Sequence, residues 1–100
     1  MIKGATELTK AEFDAKSKEP LSEIYTKITT NIGIFATRED IIRNKTVYFI
    51  NNDKVTEDEF NGMFAQANIK SILTCYTPKD RNKKAFYKEE TGNKVDYFMF

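Results

Sequence analysis

Apolar positions fall into short runs separated by polar turns, and the spacing within each run sets the element it predicts. Thr46, Val47, Tyr48, Phe49 and Ile50 are β-branched, aromatic or both, and they close on Asn51-Asn52-Asp53, residues that tolerate turn geometry. Apolar character on successive positions predicts a short strand covered on both faces, and so a central place in its sheet. After the turn, Thr56 stands three residues before Glu59 in a capping box, with Val55 and Phe60 at the spacing of a hydrophobic staple. Glu57, Asp58 and Glu59 complement the helix dipole, and Phe60, Met63 and Phe64 form an i, i+3, i+4 stripe, so this helix is expected to lie on the sheet. A strand follows over Ile69 to Tyr76. The pattern marks Ile69, Ser71, Leu73 and Cys75 as its more buried face, with Lys70, Ile72, Thr74 and Tyr76 opposite.

The first part of the chain reads as helical. Thr9-Lys10-Ala11-Glu12 is a second capping box, flanked by Leu8 and Phe13, and its helix should end before Pro20. The hexapeptide LTKAEF thus echoes VTEDEF. Each matching residue does a general helix-starting job, which reads as convergence rather than duplication. Leu21, Ile24, Tyr25 and Ile28 stand at i, i+3, i+4, i+7 and predict an amphipathic helix. Thr37-Arg38-Glu39-Asp40 predicts a third short helix through Ile41 and Ile42. Thr77 to Lys88 predicts another, packed by Ala85, Phe86 and Tyr87, before a Gly92-Asn93 turn and a last strand from Lys94 to Phe100. The expected fold is α+β: one domain, residues 1–100, with a small three- or four-stranded sheet and β-α-β crossovers, covered by N-terminal helices. Residues 1–45 form the helical part and residues 46–100 the strand-helix-strand part. The connections from Asn51 to Asn68 and from Thr77 to Asn93 are long enough to be right-handed crossovers.

Composition removes more functions than it suggests. With 16 basic and 15 acidic residues the net charge is +1, so no global field draws nucleic acid or a membrane. Histidine is absent, which removes nucleophiles activated by imidazole and zinc sites built on it. Cys75 is alone, cannot form an internal disulfide, and reads as a small buried apolar residue. There is no Gly-rich phosphate loop and no spaced carboxylate pair. No catalytic residue, metal ligand or cofactor is therefore nominated, and an enzyme is not expected. No apolar run approaches a membrane span, and Met1-Ile2-Lys3-Gly4 does not open a signal peptide, so a soluble chain is expected.

The stretches FINNDKVTEDEF, NIKSI and KAFYKEETGNKV, followed by an apolar strand, together resemble the plug-like module of TonB-dependent outer-membrane receptors and its small relatives in Bacteroidetes. The likeness covers residues 46–100. Val55, Thr56, Glu59, Phe60, Ile69, Ser71, Ile72, Ala85, Tyr87, Gly92, Asn93 and Val95 fit that family's pattern of strand, capped helix, strand and turn. The chain departs from it at Asn52-Asp53 in place of Asp-Gly, at Lys88 where Gly usually follows the Tyr, and at Lys94 in place of a turn Gly. The resemblance implies a periplasmic or envelope protein that contacts other proteins; without it, a cytoplasmic location is expected.

Nothing in the sequence names an activity, and three surfaces compete. In a non-catalytic protein-interaction module, Tyr97 and Phe98 on the last strand would meet a partner protein, or the strand would add to the partner's sheet; these rings serve equally well as core. Nucleic acid or an acidic partner would use Lys79, Arg81, Lys83, Lys84 and Lys88 interleaved with Phe86 and Tyr87, because cations track phosphates and rings stack on bases. The same run also reads as a solvated basic face. A small inhibitor or adaptor would use the contrast between Asp53 to Phe60, net −3, and Thr77 to Lys88, net +4, to dock on a charged enzyme.

Overall fold

β-branched and aromatic residues alternate with polar ones along most of the chain, and in the computed structural model, which describes residues 3–100, this alternation becomes strand. The order is β1 (Thr6–Leu8), α1 (Lys10–Ser17), β2 (Leu21–Thr30), β3 (Gly33–Asp40), β4 (Lys45–Ile50), β5 (Asp53–Val55), α2 (Glu57–Phe64), β6 (Ile69–Pro78), β7 (Phe86–Thr91) and β8 (Lys94–Met99). All eight strands join one sheet in the order β1-β8-β7-β6-β2-β3-β4-β5, and every neighbouring pair is antiparallel.

This corrects the expected small sheet of three or four strands with β-α-β crossovers and N-terminal helical cover. No parallel pair is present among the described residues, and of these, residues 3–45 supply three whole strands and only one helix. The amphipathic helix expected at Leu21 to Ile28 is the long central strand β2. Its Ile24, Thr26, Ile28 and Thr30 share one face, and this β-branched run prefers the pleated surface to a helix. The helix start expected at Thr37 lies within β3, and the helix expected over Thr77 to Lys88 is a loop leading into β7. The strand at Thr46 to Ile50 forms as expected, but as β4, one place from the sheet edge. The centre belongs to β2 and β6.

Both capped helices form where their boxes predicted. Thr9 Oγ1 accepts from the Glu12 amide at 3.1 Å while the Thr9 amide donates to Glu12 Oε1 at 2.9 Å. This reciprocal bond holds the Glu12 carboxyl below its ordinary value, the backbone amide of Thr9 contributing most. Thr56 and Glu59 repeat the arrangement at 3.1 and 3.3 Å. Between β4 and β5, Asn51 and Asn52 take φ of 50° and 70°, the left-handed pair that a two-residue hairpin requires.

The strand order describes two β-α-β-β-β units related by an approximate two-fold axis. β1, α1, β2, β3 and β4 correspond to β5, α2, β6, β7 and β8, and the Thr26–Thr74 pair stands at the centre of the β2–β6 register. The first strand of each unit pairs with the last strand on its own side of the sheet, β1 with β8 and β5 with β4. Both helices therefore cover the same face at opposite ends. Phe13 of α1 packs on Phe86, Tyr76 and Tyr97 with ring centroids 5.5, 5.3 and 4.6 Å away. Phe60 of α2 packs on Phe35 and Tyr48 at 5.5 and 5.2 Å. Phe13 and Phe60, Phe86 and Phe35, Tyr97 and Tyr48 are thus equivalent pairs. LTKAEF and VTEDEF stand at equivalent positions as well, as do NKTVYFI and NKVDYFM, so the echo is a repeat of architecture rather than two separate helix starts.

Candidate interaction face

The sheet register assigns each strand residue to one of two faces, and only one of these carries the helices. The molecule measures 36 × 33 × 20 Å, and the short dimension is accounted for by one sheet and one helix layer about 10 Å apart. Among the described residues no helix lies on the opposite face.

That bare face is not polar. Across the strands one cross-strand row runs Phe98, Tyr87, Cys75, Tyr25, Arg38, Val47, and the next runs Asp96, Glu89, Leu73, Lys27, Ala36, Phe49. Antiparallel sheets with one solvated face ordinarily alternate apolar-in with polar-out. Here apolar side chains occupy both faces through the middle of the sheet. Ala36 and Phe98 are buried by their neighbours, Phe98 against Tyr87 and Phe100, while Tyr25, Leu73, Cys75, Val47 and Phe49 are half-buried with no layer above them. Ile34, 37% exposed, and Phe100, 49% exposed, extend the apolar surface along β3 and beyond β8. Burial pushes the Tyr87 phenol above its ordinary value, and its contact with the Cys75 thiol adds to the shift.

Charged side chains divide between the two halves of the face, with Lys27 and Arg38 set inside the rows. Glu7, Glu89 and Asp96 lie on β1, β7 and β8, whereas Lys27, Arg38 and Lys54 lie on β2, β3 and β5. Pseudo-equivalent positions carry opposite sign, Glu7 against Lys54 and Glu89 against Arg38. Arg38 Nε also lies 3.5 Å from Glu23 Oε1 on the neighbouring strand. Lys94 lies 3.8 Å from Asp96 on the β8 side, and Glu23, Asp40 and Lys45 share the other half, so one half of the face is net acidic and the other net basic.

No family model, curated protein or solved structure matches this chain.

The structure separates the residues that sequence placed together. Tyr97 lies under α1 against Phe13, and Phe98 faces the other way, stacked on Tyr87 at 5.2 Å and only 1% exposed. Strand β8 is flanked by β7 and, over Tyr97 to Met99, by β1, so its C-terminal half presents no free edge. In the basic segment, Lys79, Arg81, Lys83 and Lys84 stand exposed on the β6–β7 loop, and Lys83 is ion-paired with Glu19. Phe86, 1% exposed, belongs to the core under α1, Tyr87 belongs to the bare face, and Lys88 lies on the helix-bearing face 3.6 Å from Glu90. The loop therefore offers cations without the stacking rings expected beside them. In the acidic segment, Glu57 accepts a hydrogen bond from the Tyr48 hydroxyl at 2.9 Å, which raises the Tyr48 phenol.

Two signals on the bare face went unread. The face of β6 holding Leu73 and Cys75, expected to be the more buried, is the bare one, and Thr74 on the other face is buried. The row through Tyr25 was hidden by reading β2 as a helix. Period-two alternation through Tyr25, Lys27 and Thr29 would have found it. Among the described residues no group of three or more Cys, Asp or Glu is placed to hold a metal ion, and no helix is long and apolar enough to cross a membrane.

Proposed function

We propose that this protein is a non-catalytic protein-interaction module that binds its partner through the bare face of its sheet. The observation that carries this reading is the row Tyr87, Cys75 and Tyr25, continued beyond Arg38 by Val47 and flanked by Leu73, Ala36 and Phe49, left without a covering layer while the opposite face is packed by two helices. An uncovered face of aromatic and aliphatic side chains with a few charges among them marks a protein contact more readily than a small-molecule site or a nucleic-acid track. The short three-residue edge strands β1 and β5 limit pairing through the sheet edge, which leaves the face as the larger surface.

Affinity capture from lysate and envelope fractions, with and without nuclease, tests the reading by comparing the wild type with Leu73→Glu. Leu73 lies mid-face and is half-buried, so a carboxylate there disrupts an apolar contact. The expected result is nuclease-resistant partners that the wild type captures and the folded variant loses. Capture that is equal for both proteins, or that disappears with nuclease, would transfer the function to Lys79, Lys83 and Lys84 on the β6–β7 loop.

A further inference from the structure

Resting on that reading, we propose that the partner of the bare face is a second copy of this chain, and that two copies form a face-to-face sheet sandwich about a two-fold axis parallel to the strands.

Area is the first argument. The broad dimensions of the molecule are 36 and 33 Å, and a face of that footprint supplies the roughly 800 Å² per partner that a stable interface uses. A single layer of helix on one face leaves the sheet half-covered, and a second sheet packed about 10 Å away completes a layered core without any change in either chain.

Charge is the second argument, and it selects the arrangement. A two-fold axis in the interface plane runs either along the strands or across them. An axis across the strands lays the acidic end of one copy on the acidic end of the other. An axis along the strands reverses the strand order of the second copy. The end bearing Glu7 and Glu89 then lies over the end bearing Lys54 and Arg38, and the same happens at the opposite end of the interface. The apolar row through Cys75 and Tyr25 then meets its own copy at the centre, since β6 and β2 flank the axis. A face whose central row of Cys75 and Tyr25 meets its own copy, and whose two halves carry opposite net charge, is matched by itself.

Sedimentation of the wild type and of two charge-reversed variants tests this. Arg38→Glu with Lys54→Glu makes both ends acidic, and Glu7→Lys with Glu89→Lys makes the acidic end basic. Glu7 and Lys54 lie on the edge strands and Glu89 and Arg38 two strands further in, all with side chains on the bare face, and circular dichroism checks that each variant keeps the wild-type strand signal. At about 100 µM the wild type is expected to be a dimer that dissociates on dilution. Each reversed variant is expected to associate at least tenfold more weakly, and an equimolar mixture of the two to recover a heterodimer, because each then meets opposite charge. A wild type that remains a monomer at about 1 mM overturns the proposal, as does a dimer insensitive to both reversals and to Leu73→Glu. If the wild type is a monomer and Leu73→Glu still loses its captured proteins, the second copy is wrong and the interaction face stands. If neither association nor capture responds to Leu73→Glu, both fail together.

Discussion

Replacing Phe86 with alanine is expected to lower the unfolding free energy by about 3–5 kcal/mol in urea titration, and Phe35→Ala by a similar amount. Phe86 is 1% exposed between Phe13 and Tyr76, with ring centroids at 5.5 and 5.1 Å. Phe35, with no exposed surface, holds the equivalent place between β3 and α2. Each ring is the floor on which one helix rests, and truncation leaves a cavity under a helix of only eight residues. Against a total stability of about 5–15 kcal/mol, the loss is a large fraction of the whole. For a domain of this size the melting temperature would fall by roughly 15–30 °C. Phe100→Ala, at a half-exposed ring that meets Tyr87 and Phe98 edge-on, should cost about 1 kcal/mol or less. Equal losses at Phe86 and Phe100 would show that the buried clusters under the helices do not carry the stability.

The fragment spanning residues 46–100 is expected not to fold, although it contains the whole region of plug-like resemblance. Strand β6 would lose its pairing with β2 along nearly its full length, and α2 would lose Phe35. Leu8 and Phe13, which cap the Phe86 cluster, would be absent. A chain of that length already buries too little surface for comfortable stability, and here its helix-bearing face would be only partly covered. Far-UV circular dichroism of the fragment should show a disordered chain with no cooperative melt. A cooperative transition near that of the full-length protein would mean that β4 to β8 fold without the pairing of β6 to β2 and of β8 to β1.

Local chemistry was legible where a few neighbouring residues decide the outcome. The capping boxes at Thr9 and Thr56 start helices because their bonds close within three residues. Strands β4, β6 and β8 follow from dense β-branched and aromatic runs. Strand β2 was misread because Leu21, Ile24, Tyr25 and Ile28 fit a helical period by chance, while the sheet pairs on both sides of β2 settle its conformation. Thr37-Arg38-Glu39-Asp40 resembles a helix start but pairs across to β2 and β4, with Arg38 beside Glu23. Strand β7 was hidden by Lys88, Glu89 and Glu90, long side chains that lie along a half-open sheet surface with their charges in water. Alternation within one strand shows that strand's share of the bare face, but the face as a whole needs the register, because its rows join residues from six or more strands that no local window spans.

Hydroxyl-radical footprinting of aromatic side chains tests most directly whether the bare face is the surface that binds. In dilute protein Tyr25, Phe49 and Phe100 should react, while Phe13, Phe35 and Phe86 remain protected by the helices. On self-association, or with a captured partner present, Tyr25 and Phe49 should become protected, and Tyr48 on the helix-bearing face should be unchanged. Protection confined to the β6–β7 loop or the helix-bearing face, with Tyr25 and Phe49 still reactive, would contradict the assignment of function to this face.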